Sequence, residues 1–193
     1  MQKLFCAILI GSFVVTPVAQ AGVMELGASA SYRKTVVTST NFSTQESYTG
    51  SLGYYFSDAT ALELSYTEGY GKTTTDTYIQ TVYFTVWGAD FILTFGGKDA
   101  VFRPYVKAGA AYITKEYQYK QVNQDPLPAV RSCGTSPSGG AGFRLMLTAN
   151  FAIKAGAEAW TSPLNENCLP EAEAKKMQTQ YDTSYRAGIS WLF

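Results

Sequence analysis

The chain is predicted to be all-β, an eight-stranded antiparallel up-and-down transmembrane β-barrel. Three observations predict it. Eight segments alternate in side-chain character with a period of two residues. The connections between them alternate between tight turns and long stretches. One face of every segment is apolar and aromatic, while the other collects charge and glycine. Successive strand side chains point to opposite faces, so this pattern describes strands that separate two different environments.

The N-terminus reads as an export signal. Met1, Gln2 and Lys3 make a short basic start, Leu4 to Val15 is an apolar run, and Ala19-Gln20-Ala21 supplies a small-x-small cleavage site. The apolar run is shorter than the roughly 20 residues of a spanning helix. The chain therefore divides into a signal peptide, 1–21, and a mature barrel, 22–193. A mature chain with no long apolar run can span a bilayer only as a closed barrel, because lipid offers no partner to an unpaired backbone group.

Each segment follows from its alternation. The first, 24–34, sets Leu26, Ala28, Ala30 and Tyr32 against Glu25, Gly27 and Arg33. The second, 47–57, carries Tyr48, Leu52, Tyr54 and Phe56 opposite Gly53, and Ser57 to Thr60 is a tight turn. The third, 60–70, places Leu62, Leu64 and Tyr66 against Glu63, with Glu68 as the one charge on the apolar face. In the fourth, 78–95, Tyr83, Trp87, Ala89, Phe91 and Leu93 oppose Gly88 and Asp90.

Gly96 to Ala100 then turns the chain into the fifth, 101–119. There Phe102, Val106, Ala108, Ala110 and Tyr112 oppose Arg103, Lys107 and Gly109. The sixth, 139–148, sets Phe143, Leu145 and Leu147 against Gly142 and Arg144. After Ala149 and Asn150, the seventh, 151–161, sets Phe151, Ile153, Ala155 and Ala157 against Lys154, Gly156 and Glu158. The last, 179–193, opposes Tyr185, Ala187, Ile189, Trp191 and Phe193 to Asp182, Arg186 and Gly188.

The long stretches are 35–46, 71–77, 120–138 and 162–178. Short turns at one end and long loops at the other are the pattern of an outer-membrane barrel, with both termini at the short-turn, periplasmic end. A soluble periplasmic ligand-binding barrel of lipocalin type alternates in the same way, with its apolar face inward. Against it stand the glycines on the charged face, where a narrow lumen needs small residues. Aromatics also gather toward the strand ends: Phe56, Phe91, Phe102, Phe151, Trp191 and Phe193 at one, Tyr32, Tyr48, Tyr66, Tyr112 and Tyr185 at the other.

In these features the mature chain resembles the small eight-stranded outer-membrane barrel proteins of Gram-negative bacteria, the group of OmpX, OmpW and the OmpA transmembrane domain. The most specific part of the resemblance is the terminal segment Tyr185 to Phe193. In that group an alternating terminal strand ending in Phe is the signal read by the barrel assembly machinery. The resemblance assigns that role to Tyr185, Ile189, Trp191 and Phe193, and implies a setting of outer-membrane lipid and lipopolysaccharide. Fold alone does not fix function.

The chain contains no His. The outer-membrane lipid A acyltransferases and deacylases, phospholipases and proteases all work through a catalytic His, so no catalytic residue is assigned. Ser184 and Ser190 share a face with charges, where a hydroxyl is ordinarily a hydrogen-bonded filler. No metal site or cofactor is expected, since Cys133 and Cys168 are the only thiols beyond the signal and no imidazole completes a site. In an exported chain the simplest reading is one disulfide tying the third long loop to the fourth; a free reactive thiol pair is the alternative. No run of basic residues suggests nucleic acid.

The inward charges expected are Glu25, Glu63, Asp90, Glu158 and Asp182 against Arg33, Arg103, Lys107, Arg144, Lys154 and Arg186. An unpaired buried ion costs several kcal/mol, so a set this nearly balanced is expected to pair with itself. An eight-stranded barrel has room only for side chains. The expected lumen is a closed ion-pair network, and function passes to the extracellular loops and any ligand they meet, in a structural or surface-interaction role on a monomer. A narrow channel or transporter for a small solute is the alternative.

Overall fold

The computed structural model of the chain describes residues 22–193 apart from 39, 98, 123, 163, 164, 167 and 169–179. The expected signal peptide, 1–21, lies outside the described residues. Eight long antiparallel strands close into a barrel: β1 Val23–Val36, β2 Phe42–Tyr55, β3 Thr60–Thr74, β4 Tyr78–Thr94, β5 Phe102–Gln121, β6 Val130–Met146, β7 Phe151–Ser162 and β9 Gln180–Leu192. A two-residue strand, β8 Asn165–Glu166, lies outside the count. Each long strand pairs with the next, β5 pairs with β6, and β1 pairs with β9, so the wall has no free edge at its base. Among the described residues no helix is long and apolar enough to cross a membrane.

The tight turns are built as their residues dictate. Ser57 Oγ and Thr60 Oγ1 sit 2.8 Å apart, and the Phe56 N–H donates to the Thr60 carbonyl at 3.0 Å. Gly96 adopts φ +97°, which a side chain resists. The Phe151 N–H donates to Thr148 Oγ1 at 3.0 Å, and Asn150 Nδ2 donates to the Leu192 carbonyl at 2.8 Å, clasping the third turn to the last strand. Met24 and Phe193 exchange backbone hydrogen bonds of 2.9 Å in both directions, so the two ends of the barrel meet at its base.

Several strands reach further than the alternation predicts. β1 and β2 extend to Val36 and Phe42, β3 to Thr74, and β6 begins at Val130 rather than at 139. The reason is physical. Above the membrane the outer face of a strand no longer meets lipid, so apolar-polar alternation, the signal that marks a strand, fades while the ladder continues. The long loops shrink accordingly, and the Pro-rich third is only 122–129, where the Leu127 N–H donates to the Tyr119 carbonyl at 2.8 Å.

Outward side chains form the lipid face. Leu26, Leu52 and Leu64 follow one another in register around the wall, all exposed. Tyr66 and Trp87 pack as tilted rings with centroids 4.6 Å apart, and Phe151 meets Trp191 at 6.0 Å near the base. A glycine is needed where strands pack most closely. A Cβ on Gly188 would collide with the Ala28 carbonyl, and one on Gly109 with that of Ala89.

Candidate functional site

The lumen is filled in storeys. At the base Tyr55, Ala61, Ile92 and Tyr105 form a small buried apolar cluster. Above it lies one connected ion-pair network. Arg144 Nη2 meets Glu25 Oε2 at 3.2 Å, and Lys154 Nζ bridges Glu25 Oε1 at 2.9 Å to Glu63 Oε2 at 3.0 Å. Lys107 Nζ then touches Glu63 at 3.1 Å, Asp90 at 3.0 Å and Glu158 at 2.6 Å. Arg186 Nη1 completes the network on Glu158 Oε2 at 2.8 Å. The network balances: Glu25, Glu63, Asp90 and Glu158 against Lys107, Arg144, Lys154 and Arg186.

Neutral groups add hydrogen bonds to three of these ions. The Tyr55 hydroxyl donates to Glu25 at 2.5 Å, Ser138 Oγ to Asp90 at 2.6 Å, and Arg144 Nη1 to Thr94 Oγ1 at 3.2 Å. The Arg144 guanidinium also lies between the rings of Tyr55 and Tyr105, 5.4 and 5.2 Å from their centroids. Together these side chains fill the middle of the lumen as a plug. A cavity of about 40 Å³ remains beside it, among Gly27, Thr49, Ser51, Lys154, Gly156 and Arg186. That is room for a little water and for no solute.

Above the plug the lumen is two-sided. Phe84 and Val86 on β4, Ala111 and Ile113 on β5 and Trp160 on β7 form a buried apolar cluster. The facing strands carry hydroxyls instead, with Thr49 and Thr67 bonded at 2.8 Å. At the mouth Lys115 Nζ donates to Asp182 Oδ2 at 2.5 Å. A vestibule of about 210 Å³ opens there, lined by Gln45, Lys72, Gln80, Phe84, Tyr117 and Trp160 among others.

The sequence-derived charges distribute unevenly over this geometry. Glu25, Glu63, Asp90, Lys107, Arg144, Lys154, Glu158 and Arg186 meet in the plug, and Asp182 stands above it with Lys115. Arg103 is held at the base, its Nε donating to the Ala100 carbonyl at 3.0 Å. Arg33 is exposed at the upper rim. Sequence reasoning missed Lys115, although it continues the inward parity of Lys107 on β5. It also missed the inward apolar cluster, because a rule of polar-inside residues has no place for Phe84 or Ile113.

Cys133 and Cys168 are joined, with Cα atoms 5.0 Å apart. Cys133 is not in a loop, as expected, but buried in β6 next to its pairing with Asn165 of β8. β8 carries the register of β7 further along β6, so the disulfide pins a continuation of the barrel wall. Tyr185, Ile189, Trp191 and Phe193 all face outward and are exposed on β9 or just past its end. Among the described residues no cluster of His, Cys, Asp or Glu is placed to hold a metal ion.

Comparison with known proteins agrees with this architecture. The family model of the OprF membrane domain matches residues 4–167. Outer membrane porin F of Pseudomonas aeruginosa is 32% identical over 119 residues, which covers 61% of this chain and 32% of that protein. The chain thus matches about a third of that relative's length. The solved N-terminal β-barrel domain of Pseudomonas aeruginosa OprF superposes with a TM-score of 0.55 at 23% identity, over 90% of this chain and 98% of that one. OprG of the same organism superposes with a TM-score of 0.58 at 13% identity, over 89% and 95% of the two chains. These structures share the fold.

Proposed function

This chain belongs to the OprF membrane-domain family and is an outer-membrane β-barrel of a Gram-negative bacterium, and on that premise we propose that its lumen is closed and its role structural or surface-interacting. Family membership sets aside the soluble periplasmic reading. The relatives bear the names of porins and outer-membrane proteins rather than of enzymes. The observation that carries the proposal is the plug, in which four acids and four bases pair across the lumen and leave about 40 Å³. A solute can pass only by breaking several buried ion pairs at once, each costly to separate.

On this reading the protein is a monomeric scaffold set among outer-membrane lipid and lipopolysaccharide. Its terminal strand is read by the assembly machinery, and its upper strands and loops present a surface to extracellular ligands. A second reading, a narrow channel for a small solute, draws on the porin name of the relative and on the vestibule that opens above the plug. Planar-bilayer recording separates the two. The closed scaffold yields a silent membrane. Steady stepwise openings whose size changes in Glu63→Gln or Arg186→Ala would establish the channel instead.

A further inference from the structure

The barrel wall is not closed over its whole height. β1 pairs with β9 from Glu25↔Leu192 up to Ala30↔Ala187, and among the described residues the ladder stops there. On their other sides both strands go on pairing, β1 with β2 to Val36↔Phe42 and β9 with β7 to Ser162↔Gln180. The upper halves of β1 and β9 therefore turn unpaired edges toward each other. A cavity of about 220 Å³ occupies the split, lined by Ser31, Tyr32, Arg33, Thr183, Ser184 and Tyr185, with Gln45 behind.

These residues come from both faces of the sheet. Ser31, Arg33, Gln45 and Ser184 have lumen parity, while Tyr32, Thr183 and Tyr185 have lipid parity, so the cavity passes through the wall. Its outer lip is aromatic: Tyr32 and Tyr185 are each 66% exposed and belong to the upper girdle, the level of lipid headgroups. Its inner wall offers hydroxyls, an amide and a guanidinium. Arg33 makes no ion pair with the described residues. Open backbone edges at membrane depth persist only where they line protein or polar contents. The slot therefore asks for an occupant with an anionic head and an apolar body.

We propose that the β1–β9 slot is a binding site for an outer-leaflet lipid, whose phosphate enters the wall to meet Arg33 and whose acyl chains lie against Tyr32 and Tyr185. A guanidinium matches a phosphate with two parallel N–H donors. Gln45, Ser184 and the free backbone N–H groups of the two edges add donors around it. A lipid held there seals the wall from outside as the plug seals the lumen from inside, and the assignment holds whether or not the lumen conducts.

The test uses the mature protein refolded in detergent micelles, with retained lipid counted by native mass spectrometry. Phosphorylated lipid A is the probe, with dephosphorylated lipid A and palmitate as alternatives. Arg33→Ala is expected to weaken lipid A retention by about tenfold or more, since a hydrogen-bonded charge is lost. Arg33→Lys is expected to fall between, and the outward neighbour Lys34→Ala to match the parent. Dephosphorylated lipid A is expected to be retained no better by the parent than by Arg33→Ala. Equal retention by parent and Arg33→Ala overturns the site. An equal loss in Lys34→Ala replaces it with diffuse surface attraction, and palmitate held as tightly as lipid A makes the ligand a fatty acid.

Discussion

Lys154 and Glu25 meet at 2.9 Å in the lumen although they lie 129 residues apart in the chain. Glu25 also accepts from Tyr55 at 2.5 Å and pairs with Arg144 at 3.2 Å. One carboxylate on β1 thus ties together β2, β6 and β7. Removing it leaves Arg144 without its carboxylate and the Tyr55 hydroxyl without an acceptor. Glu25→Ala is expected to lower stability by about 3–5 kcal/mol, measured by urea unfolding in lipid vesicles. The exposed Glu46→Ala should stay within about 0.5 kcal/mol of the parent. Equal effects would mean that the plug is solvated.

The orientation of the wall has its own test. Leu64 sits outward between Leu52 and Ala89 in register, midway up the barrel. An arginine there faces hydrocarbon, and Leu64→Arg is expected to cost about 2–4 kcal/mol in vesicles. The same substitution near the girdle, at Tyr48, should cost about 0–1 kcal/mol. A depth-independent result would contradict a bilayer-spanning wall.

Close strand packing at Gly188 is equally open to measurement. A methyl group at that position runs into the Ala28 carbonyl of β1. Gly188→Ala is expected to destabilise by about 1–3 kcal/mol through overpacking. The readout is the temperature at which the compact gel band converts to the slower, unfolded one. No shift would show that the β1–β9 contact is looser than the backbone geometry requires.

The disulfide holds a loop closed by Cys133 and Cys168, which are 35 residues apart. The chain-entropy relation gives such a link about 3–4 kcal/mol. Cys168→Ser, or reduction of the parent, should therefore lower the unfolding free energy by up to that amount while the heat-modifiable band persists. Loss of the folded band altogether would mean that β8 and its tether are needed for barrel closure.

Assembly and stability are expected to separate at the end of β9. Phe193 is 57% exposed and exchanges backbone hydrogen bonds with Met24. Deleting Phe193 is expected to reduce the amount of barrel reaching the outer membrane in cells by several-fold, with refolding of purified chain into detergent nearly unaffected. An equal loss in both settings would make Phe193 a structural residue rather than a recognition signal.

How much of this was legible in the sequence follows from where each residue sits. Inside the bilayer the two faces of a strand meet opposite environments, so Leu26, Leu64, Phe91 and Ile189 marked one side and Glu25, Glu63, Asp90 and Arg186 the other. Outside it the contrast vanishes. Ser132, Gly134 and Ser136 read as loop although they lie in β6, and Cys133 went with them. Lys115 escaped because parity was not carried to the top of β5. The pairing partners were beyond reach for a different reason. Alternation tells which way Lys154 points but not that it bridges Glu25 and Glu63, which depends on the stagger of strands around the barrel.

The short ladder between β1 and β9 also sets an order of events. It has six register pairs, against fourteen between β1 and β2, and it joins β1 to β9, the long strands farthest apart in sequence. Contacts so distant in sequence pay the greatest loop-closure entropy and form late. The hem of the barrel is accordingly the last seam to zip during insertion and the first to open under denaturant. Pulse-labelling of backbone amides should find Ala28 and Ile189 exchanging ahead of Leu64 and Ala89, so the life of the folded barrel is timed by the shortest ladder among its eight long strands.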